Sequence, residues 1–163
     1  MNRHTQLFIA GTWREASGVQ DLPVTDSYSE QVFASYRSAS RNDVDLAVNA
    51  AQAAFAAWSA TSLCERIAAV RRVGAALRER SDAIAQVITR EVGMPAKLSA
   101  RLQAAAPIAA WDHYAELAHE LEWESRIGHS LVQQLPTGVV ACITPWNYPL
   151  HQITGKVAPA PRA

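Results

Sequence analysis

Residues 136–150 read PTGVVACITPWNYPL, and this stretch decides the architecture. Val139 to Ile143 form an unbroken apolar run, the pattern of a strand covered on both faces in a parallel α/β sheet. The spacing therefore predicts a buried strand over 138–144. Pro145 and Pro149 then push Thr144 and Tyr148 away from helical backbone angles, which leaves Asn147 in a stiff, extended loop at the carboxyl end of that strand. Ligands of open α/β sheets bind at such ends. An asparagine there either pins a turn or donates its amide to an oxyanion. Pro149, a good first-turn residue, opens a helix expected to continue toward Ala158.

Upstream, helical period dominates. Ser40 and Asp43 make an acidic variant of a capping box, and Val44, Ala47, Val48, Ala51, Ala54, Phe55 and Trp58 follow as one apolar stripe. Ser62 and Glu65 make a second box ahead of Ile67, Val70, Val73 and Leu77. A third helix starts at Ser81, carries Ile84, Val87, Ile88 and Val92, and stops at Gly93 and Pro95. An alanine-rich fourth runs from Ala96 to about His119 with Pro107 in its middle. Proline forced into a regular helix costs about 3 kcal/mol, so a kink or a split is expected. Next, Glu122–Arg126 and Ser130–Leu135 read as two strands of an antiparallel arm around Ile127-Gly128-His129. At the N-terminus, Leu7 to Trp13 read as a hairpin turning at Ala10-Gly11. Residues 18–36 look more irregular, with Val24, Val32 and Phe33 as strand residues.

Composition narrows the function classes. Hydrophobic residues make up 49% and charged residues 18%, the balance of a folded protein. Fifteen basic residues offset fifteen acidic ones without blocks, which argues against a nucleic acid or an anionic membrane as partner. The N-terminal apolar run is too short for a signal peptide, and no later run reaches the ~18 residues of a membrane span. Cys64 and Cys142 fit no metal or redox spacing. His113 and His119 fall six apart and do not share a helical face. No metal site is expected, and the default setting is a reduced cytoplasm.

The features quoted above resemble, in order, those of the aldehyde dehydrogenase superfamily. They are the FI-x-G-x-W hairpin, the DVDLAVNAAQAAFAAW helix, TREVGMP, the arm, the Pro-Trp-Asn-Tyr-Pro turn and KVAPA, and they span Leu7 to Ala160. The implied fold is α/β: a helical N-terminal part, an antiparallel arm, and the first strand-helix unit of an incomplete Rossmann-like cofactor domain. The implied parent reaction is oxidation of an aldehyde to a carboxylic acid with NAD or NADP. By the same resemblance, Asn147 is the oxyanion-hole residue that steadies a thiohemiacetal, and Thr144, Pro145 and Trp146 lie beside the dinucleotide. Trp146 can serve as a core aromatic as well. Lys156, nine residues after Asn147, matches a charge-relay lysine of the betaine-aldehyde-type branch. Glu91 resembles an acidic position that in some relatives helps hold a monovalent cation, and reads equally as a surface carboxylate.

Cys142 sits inside the apolar run and is expected to be an inert core thiol, since the family's nucleophile lies far downstream. Relatives usually have Asn or Asp where this chain has Ala10. Where they continue past KVAPA into further strands, this chain reads Pro161-Arg162-Ala163. The cofactor-binding lysine, phosphate turn, general-base glutamate and nucleophilic cysteine of the family are absent from its 163 residues. Residues 1–163 are thus expected to be an incomplete N-terminal and cofactor-binding part, inactive alone, with 121–135 as an oligomerisation arm. Its partners would be further copies or a full-length relative. The alternatives are a non-catalytic interaction fragment and a non-functional truncated product.

Overall fold

The computed structural model describes residues 2–160, so the Pro161-Arg162-Ala163 ending lies outside the described residues. Three small sheets flank the helices. β1 (Asn2–His4) pairs in parallel with β5 (Val32–Arg37), which also pairs antiparallel with β4 (Asp21–Thr25). This sheet gives more order to 18–36 than the sequence reading expected. The predicted hairpin is β2 (Gln6–Ile9) with β3 (Thr12–Glu15). Ala10 and Gly11 form its turn at φ of 53° and 77°, as a two-residue hairpin loop requires. Phe8 and Trp13 face each other across it, rings 5.2 Å apart.

Both capping boxes form. Ser40 opens α1 (Arg41–Ser59), its hydroxyl accepting from the Asp43 N–H while the Asp43 carboxylate accepts from the Ser40 N–H. The Ser17 N–H donates to the same carboxylate, and these backbone donors hold Asp43 below the usual carboxylate range. Ser62 and Glu65 repeat the arrangement at α2 (Leu63–Glu79). α3 (Ser81–Val92) ends at Gly93, whose φ of 77° places it in the left-handed region. Around α3, Arg90 joins the Asp26 turn at 2.9 Å and stacks over Phe33.

The fourth helix departs from a regular α-helix in an informative way. After a short α4 (Ala96–Leu98), residues Ser99–Ala105 adopt π register, and α5 (Ala106–Leu117) resumes with Pro107 in its first turn. Pro107 therefore changes the register instead of kinking one continuous helix. Because the π segment runs directly into α5, the N–H that Pro107 lacks would have continued the ladder, and a carbonyl of the preceding turn is left for another donor.

The core has two clusters. One gathers Ile67, Val70, Trp111, Ala115, Ala118 and Ala158, and the other Ala85, Ile88, Ala104, Ile108 and Leu150. Helix α6 (Pro149–Val157), followed by Ala158, enters both. α2 and α5 meet closely, since a methyl group at Gly74 would lie 2.9 Å from the Trp111 Cβ. The arm is β6 (Glu124–Ile127) with β7 (Ser130–Gln133), turning at Gly128-His129 and largely exposed.

One expectation is overturned. Residues 138–144 form no strand and are not buried: Val140 is 58% and Ile143 85% exposed. Among the described residues nothing pairs with this segment. An apolar run becomes a buried strand only when neighbours supply ladder bonds and covering helices. Cys142 is consequently exposed, as is Cys64, and the reading of Cys142 as a core thiol is incorrect. The apolar stripe of α1 shares this openness, with Val44 and Val48 about half exposed. Ala51, Phe55 and Trp58 face Val139 and Val140 across an open groove of about 470 Å³.

Candidate active site around Asn147

The turn that leads into α6 is held from below and open above. Tyr148 caps the helix with φ −134° and ψ 62°, and Pro149 takes the first helical position. Leu150, 8% exposed, plugs the second core cluster. Thr154, one turn on, accepts the indole N–H of Trp111 at 3.1 Å within the core. These two anchors fix the axis of α6, and so the place where Asn147 emerges at its N-terminal end.

Two further bonds cross between the π segment and this turn. Buried Gln103 donates its Nε2–H to the Asn147 carbonyl at 3.0 Å. His151 Nε2 lies 2.6 Å from the Leu102 carbonyl. A carbonyl only accepts, so this ring nitrogen carries the proton. The register explains the need for the bond. The Ala106 N–H reaches back five residues to the Arg101 carbonyl; the same step would assign the Leu102 carbonyl to residue 107, and Pro107 has no N–H. His151 supplies the missing donor. π-helical turns recur at functional sites for this reason, since they release backbone groups to new partners.

The residues singled out from sequence occupy this region unevenly. Thr144, Pro145, Trp146 and Asn147 are consecutive and exposed, Trp146 at 77%, so Trp146 is not a core aromatic here. Among the described residues no partner holds the Asn147 side-chain amide, whereas its carbonyl is fixed by Gln103. Lys156 lies two turns along α6, on the order of 10 Å from the helix start, with Nζ donating to Gln152 Oε1 at 2.9 Å. It is not in contact with Asn147. Glu91 contributes its backbone carbonyl to the Ser27 hydroxyl. Gln103, His151 and Thr154 were missed. The one available signal for Gln103 was a polar residue in an alanine run four places before a proline.

Comparison with known proteins identifies the family. The chain matches the Aldehyde dehydrogenase family over residues 13–162. It is 35% identical over 98% of its length to a 3-succinoylsemialdehyde-pyridine dehydrogenase of a Pseudomonas species, covering 34% of that protein. It is 38% identical over 96% of its length to the N-succinylglutamate 5-semialdehyde dehydrogenase of Paraburkholderia xenovorans, covering 32% of it. Among solved structures, an aldehyde dehydrogenase from Bartonella henselae superposes with a TM-score of 0.95 at 32% identity, over all of this chain and 35% of the other. A mutant aldehyde dehydrogenase C from Pseudomonas syringae, solved with NAD+ and octanal, gives 0.93 at 35% identity, over 98% of this chain and 33% of the other. The chain thus spans about a third of the length of the curated relatives it matches. It belongs to the aldehyde dehydrogenase family.

Proposed function

We propose that residues 1–163 are part of an enzyme that oxidises an aldehyde to a carboxylic acid with NAD or NADP, and that they supply the oxyanion-stabilising end of its site. The observation that carries this reading is Asn147, exposed at the N-terminal end of α6 with its carbonyl pinned from below. When a thiolate adds to an aldehyde, negative charge builds on the former carbonyl oxygen. A fixed amide donor stabilises that charge without reorganising, and the positive end of the α6 dipole favours it too. The nucleophile and the general base implied by the resemblance are not among these residues, so the chain alone is expected to be inactive.

The segment 144–146 is read as one edge of a dinucleotide site, as the family resemblance implies. It is exposed, with Trp146 77% accessible, and lies outside any helix or strand. When bound, the nicotinamide supplies the hydride acceptor for this chemistry. Lys156, held by Gln152, is assigned a relay role by its position alone. The arm, with Ile127 69% and Leu131 51% exposed, is read as a docking element for further copies or a full-length relative. Two free cysteines fit a reducing, cytoplasmic setting. No helix among the described residues is long and apolar enough to cross a membrane.

The test is a chimera in which residues 1–160 replace the corresponding third of the Bartonella henselae enzyme. Aldehyde-dependent cofactor reduction is expected, and Asn147→Ala should lower kcat about 10²–10³-fold. An unchanged kcat in that variant would overturn the assignment.

A further inference from the structure

Burying a long amide is unfavourable unless its polar atoms find partners, yet Gln103 is fully buried in the π segment and spends its only observed bond on a backbone 44 residues away. Its Oε1 has no partner among the described residues, nor does the Ser99 hydroxyl one turn earlier. The bond therefore does not serve to satisfy Gln103, since an apolar side chain would fill the same space without leaving an orphan acceptor. What it does satisfy is the Asn147 carbonyl, in a turn whose flanking residues 141–148 are exposed. The neighbouring His151–Leu102 bond runs the opposite way, from the turn's helix to the π segment. Two antiparallel side-chain-to-backbone bonds at consecutive residues, 102 and 103, fix both the distance and the rotation of the Asn147 peptide.

We propose that Gln103 is a positioning residue: by holding the Asn147 carbonyl it orients the Asn147 side chain away from the core, toward the open face where a substrate oxygen would sit. The proposal rests on the reading of Asn147 as an oxyanion donor. The π register set by Pro107 is part of the device. In α register each residue turns 100° along the helix; the wider π turn rotates each residue less, and an α register through 99–105 would carry Gln103 off the line to the turn.

The experiment uses the full 163-residue chain in magic-angle-spinning NMR, which tolerates any state of association. With glutamine side chains labelled at Nε2 and asparagine at the carbonyl, Gln103 and Asn147 should show dipolar dephasing for a separation of about 4 Å, one carbonyl bond beyond the 3.0 Å contact. Gln103→Leu should abolish this signal, shift the Asn147 carbonyl resonance, and lower backbone order at 146–148 below about 0.6. In Gln103→Glu the carbonyl shift should depend on pH, because only the protonated acid donates; a packing role alone would not produce that dependence. No dephasing in the unsubstituted chain overturns the proposal, whether or not the variants fold. So does an unmoved Asn147 resonance in both folded variants. The two readings separate cleanly. Dephasing with a harmless Asn147→Ala in the chimera sinks the oxyanion role, whereas its absence with a damaging Asn147→Ala sinks only the role of Gln103.

Discussion

Trp111 donates its indole N–H to the Thr154 hydroxyl at 3.1 Å, and both side chains are buried. This bond ties α5 to α6 at the level of the first core cluster. Thr154→Val keeps the shape and removes the acceptor, leaving the indole N–H unpaired, which costs about 1–3 kcal/mol. Thermal melts should show Thr154→Val well below Thr154→Ser, which retains the hydroxyl. Equal melts would mean that the indole finds another partner.

At Ala10 the chain accepts a φ of 53°, a conformation that costs an ordinary L-residue roughly 1–2 kcal/mol and asparagine less. Ala10→Asn should therefore stabilise the hairpin, raising the urea midpoint by an amount equivalent to about 1 kcal/mol. A lower midpoint would show that the turn relaxes out of this geometry in solution.

Asp26 accepts from Arg90 and from the Ser29 and Tyr28 N–H groups, and its pKa falls from the ordinary 3.8 to about 2. The sign follows from linkage. A carboxylate whose folded value is depressed contributes stability above its unfolded value and loses it as pH falls through the folded one. Carbon-detected titration should place the Asp26 midpoint near 2, with the tie between the β4–β5 turn and α3 weakening between 3.8 and about 2. Asp26→Asn should flatten the acid limb of a stability curve in that window. A midpoint near 3.8 would refute the contact.

Open apolar surface should make the chain associate. Ile127, Leu131 and Leu135 on the arm, Val44 and Val48 on α1, and Ile143 beyond the groove are all exposed. Sedimentation velocity over a concentration series should show a mass rising with concentration. A sharp monomer with a cooperative melt throughout would show that these surfaces cover one another.

Legibility in the sequence tracked the range of the interaction. Ser40 with Asp43, Ser62 with Glu65, and Gly93 act within three or four residues, and each does locally what its residue type dictates. The Pro-Trp-Asn turn was legible because prolines restrict their predecessors irrespective of context. Burial of 138–144 was not, because an apolar run specifies what would cover it only through partners elsewhere, and none is described here. β1 also escaped notice, since Asn2 pairs with Ala34 through a parallel contact that leaves no local pattern. Gln103 was invisible for a related reason. Its partner is 44 residues distant, and it reaches the turn only after Pro107 has altered the register.

Gly74 gives this arrangement a mechanical dimension. Its missing side chain lets α2 approach until a methyl group would sit 2.9 Å from the Trp111 Cβ. Trp111 grips Thr154, and Thr154 lies on the helix from whose front end Asn147 projects. A single hydrogen atom at position 74 thus acts as a shim. Thickening it would wedge the tryptophan and tilt α6 like a lever, loading the two bonds of Gln103 and His151 that hold the far end.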